Sequence, residues 1–399
     1  MTRIRNEGLE VMAHPTAPGV RRRDGRGRVV EALASRGAAT RAEIARATGL
    51  APSTVTSLIA GLLEEGLVEE GGEATGGVVG RPGQVLRLGR QAGVVVGIDL
   101  GRRHLKTAVC DLSHGVLARQ ELGKSTDQHA SEDIELIAAM VEQVLDVAGV
   151  ARHEVLAVAM GLPGPVHTTG ELGDSTILPG WVGVRAQEAL TEALGLPVRV
   201  DNDANLGALS ESKWGAGAGV ADLVYLKVST GIGAGLVING QLFRGAGHTA
   251  GEIGHTVIDP GGPVCRCGNR GCLEMYAGSQ AILSSLRPAH PEVHGLARVV
   301  ELAQAGEAGC ARVIADAGRS IGAALATLCN MVNPGCVVVG GTLSLAGELL
   351  LEPMRAAVRR GAVRSAADDV RVTVAALGHD AEMMGAVALA LESARLAAR

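Results

Sequence analysis

The chain has 399 residues, 47% hydrophobic, 20% charged and 1% aromatic, with a formal net charge of −5. Apolar content this high with so few charges excludes a disordered chain and suffices for two or three cores. No run of about 18 apolar residues occurs and the start, MTRIRNEGLEVMAHPTAPG, holds no continuous apolar stretch, so neither a membrane span nor a signal peptide is expected. The expected compartment is the cytoplasm, where thiols stay reduced and Cys residues read as metal ligands or core before disulfides. Charge is uneven: residues 1–90 hold 13 Arg and no Lys against 10 acidic residues, while the remainder holds 24 basic against 32 acidic. The front of the chain is therefore the better partner for a polyanion.

Residues 1–21 read as a flexible tail and residues 22–90 as a winged helix-turn-helix. Val29, Val30 and Leu33 form a helical stripe that ends near Gly37. Thr40 and Glu43 have the spacing of a capping box for the next helix. In RAEIARATGLAPSTVTSLIAGLLEEGLV, Ile44, Ala45, Leu50, Val55, Leu58 and Leu62 are expected to face inward, with Gly49 at the turn. Pro52 suits the first position of the following helix, although Ala51 before it is a poor N-cap. LVEEGGEATGGVVGRPGQVLRL then supplies two strand-like runs around a glycine-rich loop, the wing. The expected partner is operator DNA. Arg81 of GRPG suits a narrow minor groove, Gln84 stands close behind it, and Arg21, Arg22, Arg23 and Arg26 add phosphate attraction. Ser53, Thr54, Thr56 and Ser57 would lie on the exposed start of the recognition helix. None of these four is Arg, Asn or Gln, so bidentate base reading from the helix is thin.

Residues 91–399 change to alternating strands and helices. VVVGIDL (94–100), KTAVCDL (106–112) and VLARQEL (116–122) read as successive strands, followed by a helix over 131–148. VLAVAMGLPGPV is a buried strand entering a Gly-Pro loop, VRAQEALTEALG is helical, and PVRVDNDANLGALSESKWG is a strand entering a helix. DLVYLKVSTGIGAGLVINGQLFRG reads as two strands around a glycine hairpin. A long helix (about 308–331), the strand CVVVGG, a helix near 347–360, the strand VRVTVAAL and a helix after Asp380 complete the chain. Strand-strand-strand-helix units occurring twice predict a duplicated, two-lobed α/β fold with a cleft between the lobes. Cys110, Cys310, Cys329 and Cys336 lie in apolar surroundings and read as core. His255, Cys265, Cys267 and Cys272, in GEIGHTVIDPGGPVCRCGNRGCLE, have the composition of a metal site with no open position.

GIDLG, GLPGPV, DNDANLGAL, STGIGAG, GEIGH and CRCGNRGCLE, together with the front domain, resemble the ROK family of repressors and sugar kinases over essentially the whole chain. The resemblance implies an actin-like, ribonuclease-H-like fold for residues 91–399 and structural zinc on His255, Cys265, Cys267 and Cys272. It implies sugar contacts from Asn202, Asp203, Glu252, His255 and Glu274. Amides and carboxylates suit such a ligand because they meet vicinal hydroxyls in fixed directions. Asn202 and Asp203 also have the character of helix caps ahead of ANLGAL. A kinase of this kind would use Asp203 as general base with magnesium and two glycine loops around ATP. Here the first loop departs from Asp-X-Gly-Gly-Thr: Asp99-Leu100-Gly101 runs into Arg102-Arg103. Side chains then stand where backbone must approach phosphate, and the Thr hydroxyl is gone. The expectation is a sugar-responsive transcription regulator, a repressor, working as a homodimer or tetramer. The alternative is an ATP-dependent sugar kinase with an accessory winged helix. A metal-dependent hydrolase is disfavoured by the closed ligand set.

Overall fold

The computed structural model describes residues 25–73, 84–123, 129–173 and 177–397. The chain divides into two compact units with the boundary between Arg87 and Leu88.

The first unit runs α1 (Gly25–Arg36), β1 (Ala38–Thr40), α2 (Arg41–Thr48), α3 (Pro52–Glu64), β2 (Val68–Glu73) and β3 (Gln84–Leu88). The capping box forms: the Thr40 hydroxyl accepts from the Glu43 N–H, and the Glu43 carboxylate accepts from the Thr40 N–H at 2.8 Å. Gly49 ends α2 in the left-handed region, and α3 opens on Pro52 with no side-chain cap from Ala51. Val29, Leu33, Ile44, Val55 and Leu62 are buried, together with Thr48 and Ile59, which the periodicity does not single out. Val30, Ala45, Leu50 and Leu58 are only partly buried, because α3 turns Ile59 rather than its neighbour Leu58 fully inward. The strands form a sheet in the order β1-β3-β2, so the wing carries one strand more than the sequence suggests.

In the second unit, β4 (Val94–Leu100), β5 (His104–Asp111), β6 (Val116–Gly123), α4 (Ala130–Ala148), β7 (Val155–Leu162), α5 (Ala186–Leu194), β8 (Val198–Asn202) and α6 (Asp203–Trp214) make one half. The other half holds β9 (Leu223–Val228), β10 (Ile232–Ile238), β11 (Gln241–Phe243), α7 (Glu274–Ala277), α8 (Ser279–Leu286), α9 (Leu296–Gln304), α10 (Ala308–Val332), β12 (Cys336–Gly340), α11 (Glu348–Gly361), α12 (Arg364–Asp369), β13 (Arg371–Val374) and α13 (Ala381–Ala397). The glycine hairpin thus continues into a third strand, β11, while VRVTVAAL supplies only the short β13.

The two halves repeat one topology, as the doubled strand pattern leads one to expect. In the sheet β6-β5-β4-β7-β8 three antiparallel strands are extended by two parallel ones, and β11-β10-β9-β12-β13 is built identically. The halves then exchange helices. Helix α6 of the first packs on β9 and β10 of the second, α13 of the second packs on β4 and β7 of the first, and the two helices lie against each other. Their close approach requires glycine at 385, where an added Cβ would fall 1.9 Å from the Leu206 carbonyl oxygen. This exchange brings the start of α6, with Asn202 and Asp203, alongside the second sheet. Cys110, Cys310, Cys329 and Cys336 are buried as expected. Among the described residues no helix is long and apolar enough to cross a membrane.

Candidate functional site

The site begins where β8 becomes α6. Asn202 is the N-cap: its side-chain oxygen accepts from the Asn205 N–H at 3.1 Å, and its amide donates to the Gly164 carbonyl at 2.9 Å. The amide thereby fastens the GLPGPV loop to the head of the helix. Asp203, 7% exposed, accepts from Lys227 Nζ at 2.9 Å. Asp201, just upstream, is buried and forms an ion pair with the half-buried Arg244, which follows β11, at 2.6 Å. That pair ties the first half to the second beside the same helix start.

Across from them runs the segment 251–274. Glu252 precedes a short 3₁₀ turn, Ile253–His255. Its side chain is exposed at the surface, yet the protein packed around it, with the charges of Asp203 and Glu274, pushes its carboxyl up to about 6. The mutual influence of Glu252, Asp203 and Glu274 places these three carboxylates in one neighbourhood. Glu274, at the start of α7, pairs with Arg266 at 2.9 Å and accepts from the Ile232 N–H at 3.3 Å. Arg266 lies between Cys265 and Cys267, so the cysteine loop and the glycine hairpin both converge on Glu274.

His255, Cys265, Cys267 and Cys272 each offer one donor atom, all within 4.8 Å of one another. Zinc bonds of about 2.3 Å to sulfur and about 2.0 Å to nitrogen, set tetrahedrally, separate two sulfurs by about 3.8 Å and sulfur from nitrogen by about 3.5 Å. Cys267 and Cys272 sulfurs lie 3.6 Å apart, and His255 Nδ1 lies 3.5 Å from Cys265 Sγ. The residues therefore fit a closed Cys₃His site for zinc. With Nδ1 turned to the cysteines, His255 retains Nε2 for another role. A further group, His290, Glu307 and Cys310, is explained by helix capping: the Glu307 carboxylate accepts from the Cys310 N–H at 2.5 Å at the start of α10.

The two glycine loops do different things. Gly101, Arg102 and Arg103 form the turn between β4 and β5, with both arginines exposed. Behind this turn Asp99, 1% exposed, meets His104 Nε2 at 2.8 Å. In STGIGAG, Ser229, Thr230 and Gly231 form the turn between β9 and β10, where Val228 pairs with Ile232, and the remaining four residues are already strand. The motifs give Lys227, Arg244, Arg266 and His104 no role and take Asp99 only as the start of the first loop, because the ion pairs of these residues are made only with partners brought in by the fold.

In the first unit Ser53, Thr54, Thr56 and Ser57 are exposed on the first turns of α3, and Gln84 is exposed at the start of β3. The Thr56 hydroxyl donates to the Pro52 carbonyl at 2.9 Å, which leaves Ser53, Thr54 and Ser57 as the freer groups. Arg26, expected to attract phosphates, has its guanidinium paired with both carboxylate oxygens of Glu65 at the surface. Arg81 and Arg21 to Arg23 lie outside the described residues.

Residues 95–393 match the model of the ROK family and residues 27–72 that of the IclR helix-turn-helix domain. The chain is 30% identical over 369 residues to the xylose repressor of Caldicellulosiruptor bescii, covering 88% of this chain and 91% of that one. Its fold is similar, with a TM-score of 0.75 and 26% identity, to a ROK family transcriptional regulator described as a homologue of the E. coli MLC protein, covering 93% of this chain and 96% of that one. A ROK family glucokinase from Streptomyces griseus, solved with glucose and AMPPNP, superposes with a TM-score of 0.66 and 29% identity over 75% of this chain and all of that one, 100%. That match lacks a counterpart for a quarter of the chain.

Proposed function

Because the chain belongs to the ROK family and carries a helix-turn-helix ahead of the two-lobed domain, we propose that it is a transcriptional repressor whose hold on operator DNA is set by a sugar. The observation that carries this reading is the joining of a DNA-binding unit and a carboxylate-lined cleft in one chain. Sugar hydroxyls are met by Asn202 and Asp203 at the head of α6 and by Glu252, His255 and Glu274 on the opposite segment. The carboxylates accept hydroxyl protons, while the Asn202 amide and His255 Nε2 supply the complementary donor or acceptor. Zinc on His255, Cys265, Cys267 and Cys272 is structural: it holds the loop that carries Arg266, and through it Glu274, in place.

The protein works in the cytoplasm as a homodimer. Ser53, Thr54, Thr56, Ser57, Arg81 and Gln84 make the DNA contacts, with the domains divided at residues 22–90 and 91–399. Sugar binding favours one arrangement of the halves and so lowers operator affinity, a shift that must rest on unequal sugar affinity of the two arrangements. Fluorescence anisotropy with an operator fragment, titrated with D-xylose, D-glucose and N-acetylglucosamine, tests this. A chain that binds no DNA in any of these conditions is not a repressor.

The second reading, a sugar kinase, is favoured by the similarity to the glucokinase and by the presence of Asp203. It is disfavoured by the Arg102-Arg103 turn after Asp99, which offers no second glycine and no Thr hydroxyl to a nucleotide phosphate. A coupled assay with ATP and the same sugars separates the two. Sugar-dependent turnover that disappears in Asp203→Asn establishes the kinase.

A further inference from the structure

Lys227 lies on β9, its side chain 16% exposed. Its ammonium stands 2.9 Å from Asp203 Oδ2 and 3.3 Å from Glu382 Oε1, on the first turn of α13. Burial works toward the neutral amine, but the charges of Asp203, Glu382 and Asp99 outweigh it and hold Lys227 protonated well above its ordinary range. Glu382 also accepts from the Tyr225 hydroxyl at 3.0 Å. Asp99 meets His104 through one oxygen, while its other oxygen, Oδ1, has no hydrogen-bond partner among the described residues. A second buried ammonium, that of Lys106 on β5, donates to the His379 carbonyl. Three buried carboxylates, from β4, α6 and α13, thus face protein cations from β5 and β9.

We infer that Lys227 is a built-in counter-ion that stands in the way of a divalent cation and a phosphate-bearing ligand, and so restricts the cleft to an uncharged, unphosphorylated sugar bound without magnesium. The inference rests on the reading of the cleft as a sugar site and names the class of sugar it takes. Its physical basis is charge balance. A magnesium–nucleotide needs free carboxylates for the metal and unpaired cations for the phosphates. Asp203 Oδ2 faces an ammonium, so a metal on that oxygen would sit beside a like charge in a buried setting. Both lysines are already engaged, and Asp99, Asp203 and Glu382 outnumber them, so the cluster itself offers a phosphate no spare ammonium; the exposed Arg102 and Arg103 stand outside it on the turn between β4 and β5. Asp203 can still accept a bond from a sugar hydroxyl. To take that hydroxyl's proton as a general base it would have to give up its bond from Lys227.

The test uses the full chain with Lys227→Met, which keeps the length and removes the charge, and Lys227→Arg, which keeps the charge. Manganese uptake is read by electron paramagnetic resonance, and D-glucose, D-xylose and glucose 6-phosphate binding by calorimetry with and without magnesium. Wild type and Lys227→Arg are expected to bind no manganese at this cluster, to bind sugar equally with or without magnesium, and to reject glucose 6-phosphate. Lys227→Met is expected to take up manganese at least about tenfold more tightly, and to lose that gain when Asp203→Asn is added. A folded, zinc-loaded Lys227→Met with no gain in manganese overturns the inference, as does wild type binding glucose 6-phosphate as well as glucose. Should Lys227→Met not fold, the wild-type magnesium and phosphosugar readings decide in the same two directions. The manganese readings involve no sugar or DNA, so a chain that passes them but binds no sugar sinks the repressor reading and leaves the counter-ion standing.

Discussion

Glu252 is the group through which the proposed sugar site should sense pH. Its carboxyl is pushed up to about 6 by the surrounding protein, Asp203 and Glu274, which brings its titration into the range between pH 5 and 8. A sugar that donates to the ionised carboxylate binds that form. Its affinity is therefore expected to fall as pH drops below about 6, by up to about tenfold per unit, and to flatten in Glu252→Gln; calorimetry across pH 5 to 8 checks this. The stability sign is the reverse. A carboxyl raised above its unfolded value supports the fold at low pH and loses that support as pH rises through its folded value. Glu252→Gln should accordingly gain in melting temperature relative to wild type at pH 8 more than at pH 4.5. At the metal, Cys265→Ser or Cys272→Ser is expected to remove about one zinc per chain by elemental analysis and to weaken sugar binding about 10- to 100-fold, because Arg266 loses its anchor on Glu274. Unchanged sugar affinity in a verified zinc-free variant would separate the two sites. The cysteine cluster was legible in the sequence because its ligands fall within one short segment. Lys227 was not, since its partners come from positions 203 and 382 on other elements.

At the scale of elements, caps and close contacts decide. Thr40→Ala removes the hydroxyl half of the capping box, the bond from the Glu43 N–H, while leaving the Thr40 backbone N–H to Glu43, and is expected to cost about 1 kcal/mol in urea unfolding of the first unit. Gly385→Ala places a methyl against the Leu206 backbone where α6 and α13 cross, and is expected to cost about 1–3 kcal/mol or more. Because that crossing holds the head of α6, the same variant should also lose sugar affinity. In the DNA-binding unit, Arg81→Ala is expected to weaken operator binding by about 1–3 kcal/mol in a gel-shift titration, with zinc content and sugar affinity unchanged. Normal operator binding by Arg81→Ala, with selectivity lost in Ser53→Ala or Thr54→Ala, would move the sequence reading into α3. Helices α7, α8 and α9 were not assigned from the sequence, where the 251–274 segment is followed directly by the long helix at about 308. The inward faces of α7 and α8 are supplied by few residues, Ala277 in the one and Ile282 and Leu286 in the other, too few to set a period, whereas α9 carries a legible helical stripe in Leu296, Val299, Val300 and Ala303.

For the whole molecule, the expected behaviour is linkage between the sugar cleft and DNA. Asp203→Asn should bind operator as wild type does and fail to release it when sugar is added, whereas wild type loses at least about tenfold in affinity, or about 1.4 kcal/mol. Anisotropy of a labelled operator reads both. Release of Asp203→Asn at wild-type sugar concentrations would place the effector elsewhere.

What the sequence determined by itself was encoded between near neighbours: the capping box of α2, the Pro52 start of α3, the clustering of one His and three Cys that could hold a metal, and the twice-repeated strand pattern that foretold two similar halves. These follow from hydrogen bonds and periodicities that span a few residues, so the chain carries them wherever it folds. Only the tertiary structure decided that both sheets share one strand order, that α6 and α13 change partners, and that Lys227, Arg244 and Arg266 stand on Asp203, Asp201 and Glu274. Strand order and ion pairing between distant positions depend on which surfaces dock to bury apolar area. A lone Lys or Arg in the sequence gives no sign of the carboxylate it will meet.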